Sequence, residues 1–403
     1  MRTSRRAVAA AALAALLALV TACSGGGDDD NNGGGSSWNG GGNGGQAEDG
    51  SKAVATITGP AADAKDVPAA TEIIFTTENA TGAPTVEMKD AAGEVVKGAL
   101  QADGKTWLPE KALDYATAYT ATVTATDADG KPATASNTFT TMAKPANQVR
   151  VSSFLADGAV VGVGMPLIVR FSRSIPEDYR DDVERRMTVS SVPAQEGVWH
   201  WTSPTEIHFR PKVFWKANTK ISYKLQTGGL PMGDGWYGRS DVTVDMKIGS
   251  SLIMTVDNKT KQMTVTKDGK VIKKIPVSLG APRTPSSSGT MVVIEKKRKT
   301  VFDTMDAADP QDRYRTDIEY AQRITWSGQF IHAAPWSEGV QGRTNVSHGC
   351  VNVSMAMGAW LFNQTKLGDP ITVKGTGDPL KNGNGWTDWN MSWAEYVKGS
   401  ALQ

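Results

Sequence analysis

Cysteine is the rarest residue of this chain: only Cys23 and Cys350 occur among its 403 residues. One follows a signal-like segment and the other lies in a His/Gly cluster, and these different contexts argue against a disulfide between them. An excess of either charge is also missing, because 43 basic residues balance 42 acidic ones to within a formal charge of +1. Bulk charge therefore gives no reason to expect a nucleic acid as partner or attraction to an anionic surface.

A long apolar run is lacking as well. Residues 7–22 are rich in alanine and leucine, but they are too short for a bilayer span of roughly 20 residues. This run follows a basic start, residues 1–6 with three arginines, and together the two predict a signal peptide over 1–22. Its end, Val20-Thr21-Ala22-Cys23, resembles the lipobox of bacterial lipoproteins, which implies lipidation of Cys23. A plain secretory signal beside a stray cysteine is the alternative.

The next stretch, 23–50, contains little besides Gly, Ser, Asn and Asp and has almost nothing to pack. This composition predicts a flexible tether, and a tether favours the lipid anchor over the stray cysteine. We therefore expect the lipidated Cys23 to hold the protein on the extracytoplasmic face of the bacterial cell membrane.

Residues 51–146 and 147–249 look like two copies of one small β domain. Short strand-like runs recur in the same order in both, at a spacing of about 100 residues that is typical of immunoglobulin-like sandwiches. Neither copy carries a catalytic constellation, so both are expected to act as spacers. Four tryptophans of the second copy indicate a packed contact surface: Trp199, Trp201, Trp215 and Trp236.

The third segment, 250–375, reads as consecutive hairpins and predicts a mostly antiparallel β structure. Residues 284–290 are expected to form a rigid loop, with a strand resuming over 291–294. The polar stretch 295–321 is a candidate lid. Its basic run, 296–299, either contacts peptide carboxylates or forms a solvated strand end.

The chemistry is concentrated around Cys350. Phe330-Ile331-His332 is followed, after 14 residues, by Ser347-His348-Gly349-Cys350-Val351-Asn352. A nucleophilic thiol needs its pKa lowered by a neighbouring imidazolium or by backbone dipoles, and it needs donors aimed at the developing oxyanion. His332 is the candidate base, and the backbone amides of His348, Gly349 and Cys350 are candidate donors. The alternatives are a buried thiol beside core histidines, or a zinc site, although a fourth ligand and paired cysteines are missing.

This signature resembles the catalytic (YkuD) domain of the L,D-transpeptidases, and the whole mature chain resembles the two-spacer members from mycobacteria and related actinobacteria. The resemblance implies a mainly β chain: two immunoglobulin-like β-sandwich domains, a YkuD-type β-sandwich catalytic domain, and a short helical C-terminal tail. It implies Cys350 as nucleophile and His332 as base, with His348 and Gly349 flanking the oxyanion hole. The position of Ala333 is expected to act through its carbonyl.

The same resemblance implies contacts with substrate. The residues expected to contact it are Tyr314 on the lid, Ser327 and Gly328 through their backbone, and Trp336, Ser347 and Asn352 around the thiol. No cofactor is implied. A turn around Asp234 is either a plain turn or a cation site, and Pro231 stands where some relatives have an acidic ligand, which speaks against calcium.

The implied activity is that of a transferase of peptidoglycan synthesis and cell wall biogenesis, with stem peptides as partners. A tetrapeptide stem would acylate the cysteine with release of D-Ala, and the acceptor diamino acid would complete a 3→3 cross-link. Carbapenem β-lactams are the implied inhibitors. Two rival functions stay open: an L,D-carboxypeptidase, in which water replaces the acceptor, and a wall-binding lipoprotein with little catalysis.

The C-terminal segment, 376–403, is rich in tryptophan. Trp386, Trp389, Trp393 and Val397 lie at helix-face spacing and predict an amphipathic helix or turn docked onto a neighbouring domain. A stacking platform for a ligand is the alternative.

Overall fold

The computed structural model describes residues 52–306, 308–310 and 313–403. The predicted signal peptide, the predicted lipidation site Cys23 and the predicted tether to residue 50 lie outside the described residues. Within the described part of the chain, no helix is both long enough and apolar enough to span a bilayer.

The first domain is a sandwich of two four-stranded sheets with the orders β1-β3-β6-β5 and β2-β8-β7-β4. Its strands are β1 Val54–Gly59, β2 Ala64–Val67, β3 Ile73–Glu78, β4 Thr85–Asp90, β5 Gly98–Leu100, β6 Thr106–Pro109, β7 Ala118–Thr126 and β8 Pro132–Thr141. Every second residue of β7 is buried, because successive side chains of a strand point to opposite faces. Phe75, Trp107 and Val123 fill the space between the sheets.

The second domain repeats this plan, with sheets ordered β10-β12-β15-β14 and β11-β18-β16-β13 and a small parallel pair, β9 and β17. Its strands are β9 Gln148–Val149, β10 Val151–Ser153, β11 Val160–Val161, β12 Leu167–Phe171, β13 Met187–Val192, β14 Gly197–Ser203, β15 Glu206–Pro211, β16 Lys220–Leu225, β17 Tyr237–Gly238 and β18 Val242–Ile248. Helix α1 is Arg180–Arg185, after a 3-10 turn at Glu177–Tyr179.

The tryptophans of this second domain belong mainly to its interior, which corrects the expectation of a contact surface. Trp199 and Trp215 are buried in the core, where their Nε1–H groups donate to the carbonyls of Met187 and Met165. Burying an indole is favourable when its single donor is satisfied in this way. Trp236 is half-buried and lies under the guanidinium of Arg173.

The third domain combines a six-stranded sheet, β21-β20-β19-β27-β22-β28, with a four-stranded sheet, β23-β24-β25-β26. Its strands are β19 Leu252–Asp257, β20 Gln262–Lys267, β21 Lys270–Pro276, β22 Ser287–Val292, β23 Glu295–Asp303, β24 Arg315–Arg323, β25 Phe330–Ala333, β26 Val351–Val353, β27 Pro370–Lys374 and β28 Asp378–Pro379. Helix α2 is Met355–Gln364, and a 3-10 turn covers Pro335–Ser337.

One apolar core joins the two sheets of the third domain. Val256 and Val265 contribute to it from the larger sheet, Ile331 and Val351 from the smaller one, and Leu361 from α2. The helix begins at Ser354, whose side chain accepts from the Met357 amide at 3.2 Å. Because the backs of β25 and β26 are held in this core, their front faces have a fixed position.

The stretch predicted as a lid is a β-hairpin, with β23 and β24 antiparallel along their length. The loop predicted over 284–290 is also shorter than expected, since β22 begins at Ser287. The basic run lies within β23, where Lys296 donates to the carbonyls of Phe362 and Thr365 at the end of α2. A lysine is favourable there because a helix end presents unpaired carbonyls and partial negative charge.

The second and third domains are joined by backbone hydrogen bonds. Gly162 donates to Leu367 at 2.7 Å, and Gly164 donates to Gly368 at 2.9 Å. Glycine is required at position 162, because a Cβ there would stand 2.2 Å from Oδ1 of Asp369. The third domain therefore contacts the second directly.

The tail packs against the second domain, in agreement with docking rather than with an open stacking platform. It forms a 3-10 turn at Asp388–Asn390 and helix α3, Trp393–Val397, with a capping box between Ser392 and Glu395. Trp386 and Trp389 precede this helix, so the docked segment is a turn followed by a short helix. Arg210 lies over the rings of Trp389 and Tyr396, at 4.6 and 4.2 Å.

Candidate active site

Two paired strands bring the cysteine and the histidine of the motif together. Strands β25 and β26 are parallel, with Ile331 opposite Val351 and His332 opposite Asn352. Because side chains alternate along a strand, Ile331 and Val351 enter the core, whereas His332 and Asn352 face the other way. Cys350 directly precedes β26 and shares this outer face. The motif residues therefore converge although they are far apart in sequence.

The outer face forms the floor of a cavity of about 370 Å³, a volume in the range of small-ligand sites. Its walls come from the β23–β24 hairpin, the turn after β25 and the loop before β26. The lining residues are Phe302, Tyr314, Thr316, Ile318, His332, Trp336, Val346, Ser347, His348, Cys350 and Asn352. A larger cleft, of about 1100 Å³, lies between the first two domains and is lined by neither cysteine nor histidine.

One nitrogen of His332 is committed to the backbone. Its Nδ1 lies 2.9 Å from the carbonyl oxygen of Ala333, and a carbonyl can only accept, so Nδ1 carries the proton. The expectation that position 333 acts through its carbonyl agrees with this contact. Burial lowers the pKa of His332 to about 4, and the hydrogen bond to Ala333 opposes that shift. The ring is therefore neutral at pH 7, with a lone pair on Nε2.

The thiol of Cys350 is also held in its neutral form. It is only 6% exposed and donates to the carbonyl oxygen of Gly328 at 3.8 Å. Burial raises the pKa of the thiol to about 11, and the backbone N–H of Phe330 partly offsets this. The sequence motif predicts a thiol with a lowered pKa, whereas the pKa in the structure is raised. Burial outweighs the imidazole here because that ring is itself uncharged.

A tight turn sets the direction of the thiol. The hydroxyl of Ser347 donates to the Cys350 carbonyl at 2.6 Å and accepts from the Gly349 amide at 3.1 Å. Gly349 has a φ of +115°, a conformation that side chains disfavour. Of the three amides predicted as oxyanion donors, that of Gly349 is thus already engaged inside the turn.

Asn352 lines the cavity and carries an acceptor without a hydrogen-bond partner in the described part of the chain. Its Nδ2 donates to Oγ of Ser337 at 3.3 Å, while its Oδ1 is buried without a partner among the described residues. An unpaired buried acceptor is costly unless a ligand supplies a donor. Ser337, which orients this amide, was not singled out from the sequence, because it lies 15 residues away and carries no motif of its own.

Aromatic rings surround the site. Tyr314 packs against His348 with ring centroids 5.0 Å apart, and Trp336 packs against His332 at 6.0 Å. Phe302 meets His332 edge-on at 5.3 Å and was missed in the sequence, since its polar neighbours gave no apolar pattern. These rings supply the low-polarity surroundings that keep the imidazole neutral.

Ser327 and Gly328 lie at the edge of the site rather than in the cavity lining. Gly328 reaches the thiol through its carbonyl, and Ser327 is exposed.

Among the described residues, no three of His, Cys, Asp and Glu are grouped so that they could hold a metal ion. Asp234 sits in a turn with a φ of 52°, and its carboxylate lies 3.6 Å from Arg173.

Comparison with known proteins gives matches over both halves of the chain. The model of the L,D-transpeptidase catalytic domain (YkuD) matches residues 251–373, and that of a bacterial Ig domain (Big_10) matches residues 64–231. L,D-transpeptidase 2 of Mycobacterium tuberculosis is 36% identical over 320 residues, 78% of this chain and 78% of the relative. L,D-transpeptidase 5 of the same species is 33% identical over 327 residues, 79% of this chain and 70% of the relative.

Among solved structures, an L,D-transpeptidase in complex with imipenem is 32% identical, with 57% of this chain and 100% of that chain covered and a TM-score of 0.49. The fold and the cavity together define a multidomain β protein with a thiol and two imidazoles lining one cavity. The chain belongs to the L,D-transpeptidase family, with bacterial Ig-like sequence preceding its catalytic domain.

Proposed function

We propose that this protein forms 3→3 cross-links between peptidoglycan stem peptides, with Cys350 as nucleophile and His332 as general base. One observation carries the proposal: the imidazole on β25 and the thiol directly before the paired strand β26 line the same cavity. The Nδ1–H of His332 is bound to Ala333, so the basic Nε2 is the nitrogen left for proton transfer.

The first half-reaction transfers the donor stem to the enzyme. Nε2 of His332 takes the thiol proton while Sγ of Cys350 attacks the carbonyl carbon of the third residue of a tetrapeptide stem. The C–N bond to the terminal D-Ala then breaks, and the imidazolium returns the proton to the leaving amine. The products are a thioester on Cys350 and free D-Ala, with His332 neutral again.

The surroundings supply the remaining interactions. The backbone amides of His348 and Cys350 donate to the oxyanion, because the Gly349 amide is held by Ser347. Oδ1 of Asn352 accepts an N–H of the donor, since it lacks any other partner in the described part of the chain. The backbone of Ser327 and Gly328 pairs with the peptide.

The second half-reaction releases the product. The side-chain amine of a diamino acid on a neighbouring stem attacks the thioester carbonyl and gives its proton to His332. The C–S bond breaks, and the thiolate of Cys350 recovers that proton. Neutral residues at rest suit this cycle, because it begins and ends with an uncharged thiol and imidazole, and the thioester between the two halves is uncharged as well.

The test is incubation of the purified chain with a disaccharide-tetrapeptide, followed by mass spectrometry. The proposal predicts a dimer with loss of D-Ala, and Cys350→Ala should give none while keeping its fold. A tripeptide without dimer would instead indicate an L,D-carboxypeptidase. Unchanged substrate would indicate a wall-binding protein with little catalysis.

Two further parts of the proposal concern inhibition and location. Carbapenems should acylate Cys350, because a strained lactam amide resembles the donor amide; a relative was solved in complex with imipenem. Retained drug adduct in Cys350→Ala would contradict the assignment of the nucleophile.

Lipidation of Cys23 would hold the enzyme at the outer face of the cell membrane, facing the cell wall.

A further inference from the structure

The C-terminal tail reaches the edge of the active site through one side chain. Oδ1 of Asn384 accepts from the backbone N–H of Ser327 at 2.8 Å, and Nδ2 of Asn384 donates to Oγ of Ser327 at 2.9 Å. These two residues lie 57 positions apart. The paired geometry assigns both ends of the amide and fixes the Ser327 backbone in position and direction.

The residue after Ser327 contacts the reacting group. The carbonyl of Gly328 accepts from the Cys350 thiol at 3.8 Å, and Gly328 has a φ of +94°. Locally, this turn is held by hydrogen bonds centred on Thr325, whose Oγ1 meets Oγ of Ser327 at 3.1 Å and accepts the Gln329 amide at 2.9 Å. Asn384 supplies two hydrogen bonds to this turn from outside it.

The other end of the same tail loop is fixed to the second domain. Oδ1 of Asp388 lies 2.9 Å from Nδ1 of His208, and both side chains are buried. Nε1–H of Trp389 donates to the Gly164 carbonyl at 2.6 Å. Asn384 therefore projects from a segment that is anchored on a spacer domain, and a rigid support of this kind can hold a site in place.

We propose that Asn384 is a positioning residue: it holds the Ser327–Gly328 turn so that this edge aligns Cys350 and receives the donor peptide. The inference rests on the proposed function for its substrate. Asn384 touches neither the thiol nor the imidazole and acts only through Ser327. The tail and the second domain thereby hold one edge of the active site in place without touching the reacting groups.

The expected effect is on the chemistry of acylation rather than on folding. Ser327 is exposed, so its N–H can bond to water when Asn384 is replaced, and no buried donor is left unpaired. We expect a loosened turn to slow acylation by the donor peptide roughly 10-fold, because small misplacements of the reacting groups are costly in rate. Thermal stability should change little.

Two substitutions at position 384 separate hydrogen bonding from size. Asn384→Leu keeps the bulk of the side chain and removes both hydrogen bonds. Asn384→Asp keeps both, because the Ser327 hydroxyl can rotate and donate to the carboxylate. Asn382→Leu is the matched control: this asparagine lies in the same loop, and it accepts a hydrogen bond from Asn390 rather than from the turn.

The experiment measures donor acylation of the full chain by mass spectrometry. We expect roughly a 10-fold loss for Asn384→Leu, recovery in Asn384→Asp, and the parent rate for Asn382→Leu. Equal rates for Asn384→Leu and the parent, or an equal loss in Asn382→Leu, would overturn the proposal. If the parent itself is not acylated, it is the proposed function that fails.

A second readout needs no donor peptide, and it compares two different variants of the same contact. Gly328 accepts a hydrogen bond from the neutral thiol, so a loosened turn should shift the pH profile of Cys350 alkylation toward lower pH in Asn384→Leu. Ser327→Ala, which removes only the hydroxyl contact, should give part of that shift. Unshifted profiles in both variants would contradict the positioning role.

Discussion

The imidazole of His332 donates from Nδ1 to the carbonyl oxygen of Ala333, its own neighbour in the chain, at 2.9 Å. The contact uses no other side chain, so it survives wherever β25 keeps its conformation. It also leaves Nε2 as the nitrogen that can accept the Cys350 proton. The hydrogen bond makes no demand on the side chain at position 333, although burial of Ala333 favours a small residue there.

The first prediction concerns the acid limb of acylation. His332 must be neutral to accept a proton, and burial lowers its pKa to about 4. Acylation of Cys350 should therefore persist as the pH falls through the ordinary histidine value of about 6.5 and be lost near pH 4. The measurement is the rate of adduct formation with a donor peptide or a carbapenem across that range.

The control for this prediction is His332→Ala, which should be slower by roughly 10²–10⁴-fold, the usual worth of a general base. The thiol of the parent should show no thiolate absorbance at neutral pH, because burial raises its pKa to about 11. A thiolate that titrates near neutrality, together with an acid limb near 6.5, would instead demonstrate a preformed ion pair.

The second prediction separates Tyr314 from the proton path. Tyr314 packs against His348 and lines the cavity, where its ring can cover a bound peptide. Tyr314→Phe should weaken turnover of the donor peptide but leave alkylation of Cys350 by a small reagent unchanged. Loss of thiol reactivity as complete as in His332→Ala would mean that the phenol takes part in proton transfer.

The third prediction concerns the buried pair that fixes the tail. His208 lies between Asp388 and Glu206, at 2.9 and 3.0 Å. Burial opposes its charge, but the two carboxylates prevail and raise the pKa of His208 to about 9. Because the folded pKa exceeds the ordinary 6.5, this stabilisation is complete below about pH 6.5 and is lost as the pH rises through about 9.

The melting temperature should therefore fall between about pH 6.5 and pH 9, as read from fluorescence of the nearby tryptophans. Asp388→Asn should flatten this decline and lower stability by about 3 kcal/mol, since one member of a buried pair is lost. Asp129→Asn removes an exposed carboxylate of the first domain and should leave the slope unchanged. If Asp388→Asn leaves the dependence of the melting temperature on pH unchanged, the His208–Asp388 pair is not its cause.

The fourth prediction tests the lipid anchor. Cys23→Ala should release the protein from bacterial membranes without reducing the cross-linking rate of the purified enzyme, because the acyl group serves only as a tether. Membrane fractionation followed by immunoblotting measures the first effect, and the dimer assay measures the second. Unchanged membrane association would show that the lipobox interpretation is wrong.

Some features of the site could be predicted from the sequence because they depend only on residues close together in the chain. The short motif ending in Cys350 already contains the serine that binds the turn, the glycine with a positive φ and the thiol itself. Alternation in segments such as β7 and β19 likewise indicates strands, since one buried face imposes a period of two. In the tail, the spacing of the tryptophans could not distinguish a turn from a helix, because buried tryptophans can be spaced by either.

What the sequence by itself determined is the chemistry available here: one thiol, one imidazole on a strand, and the backbone that carries them. Tertiary structure alone decided their protonation, because a pKa depends on which other segments exclude water, and Phe302 and Tyr314 come from a distant hairpin. It likewise decided that His208 meets Asp388 and that Asn384 holds Ser327. Contacts across 180 and 57 residues leave no periodic trace in a sequence, since they arise from packing between separately folded elements.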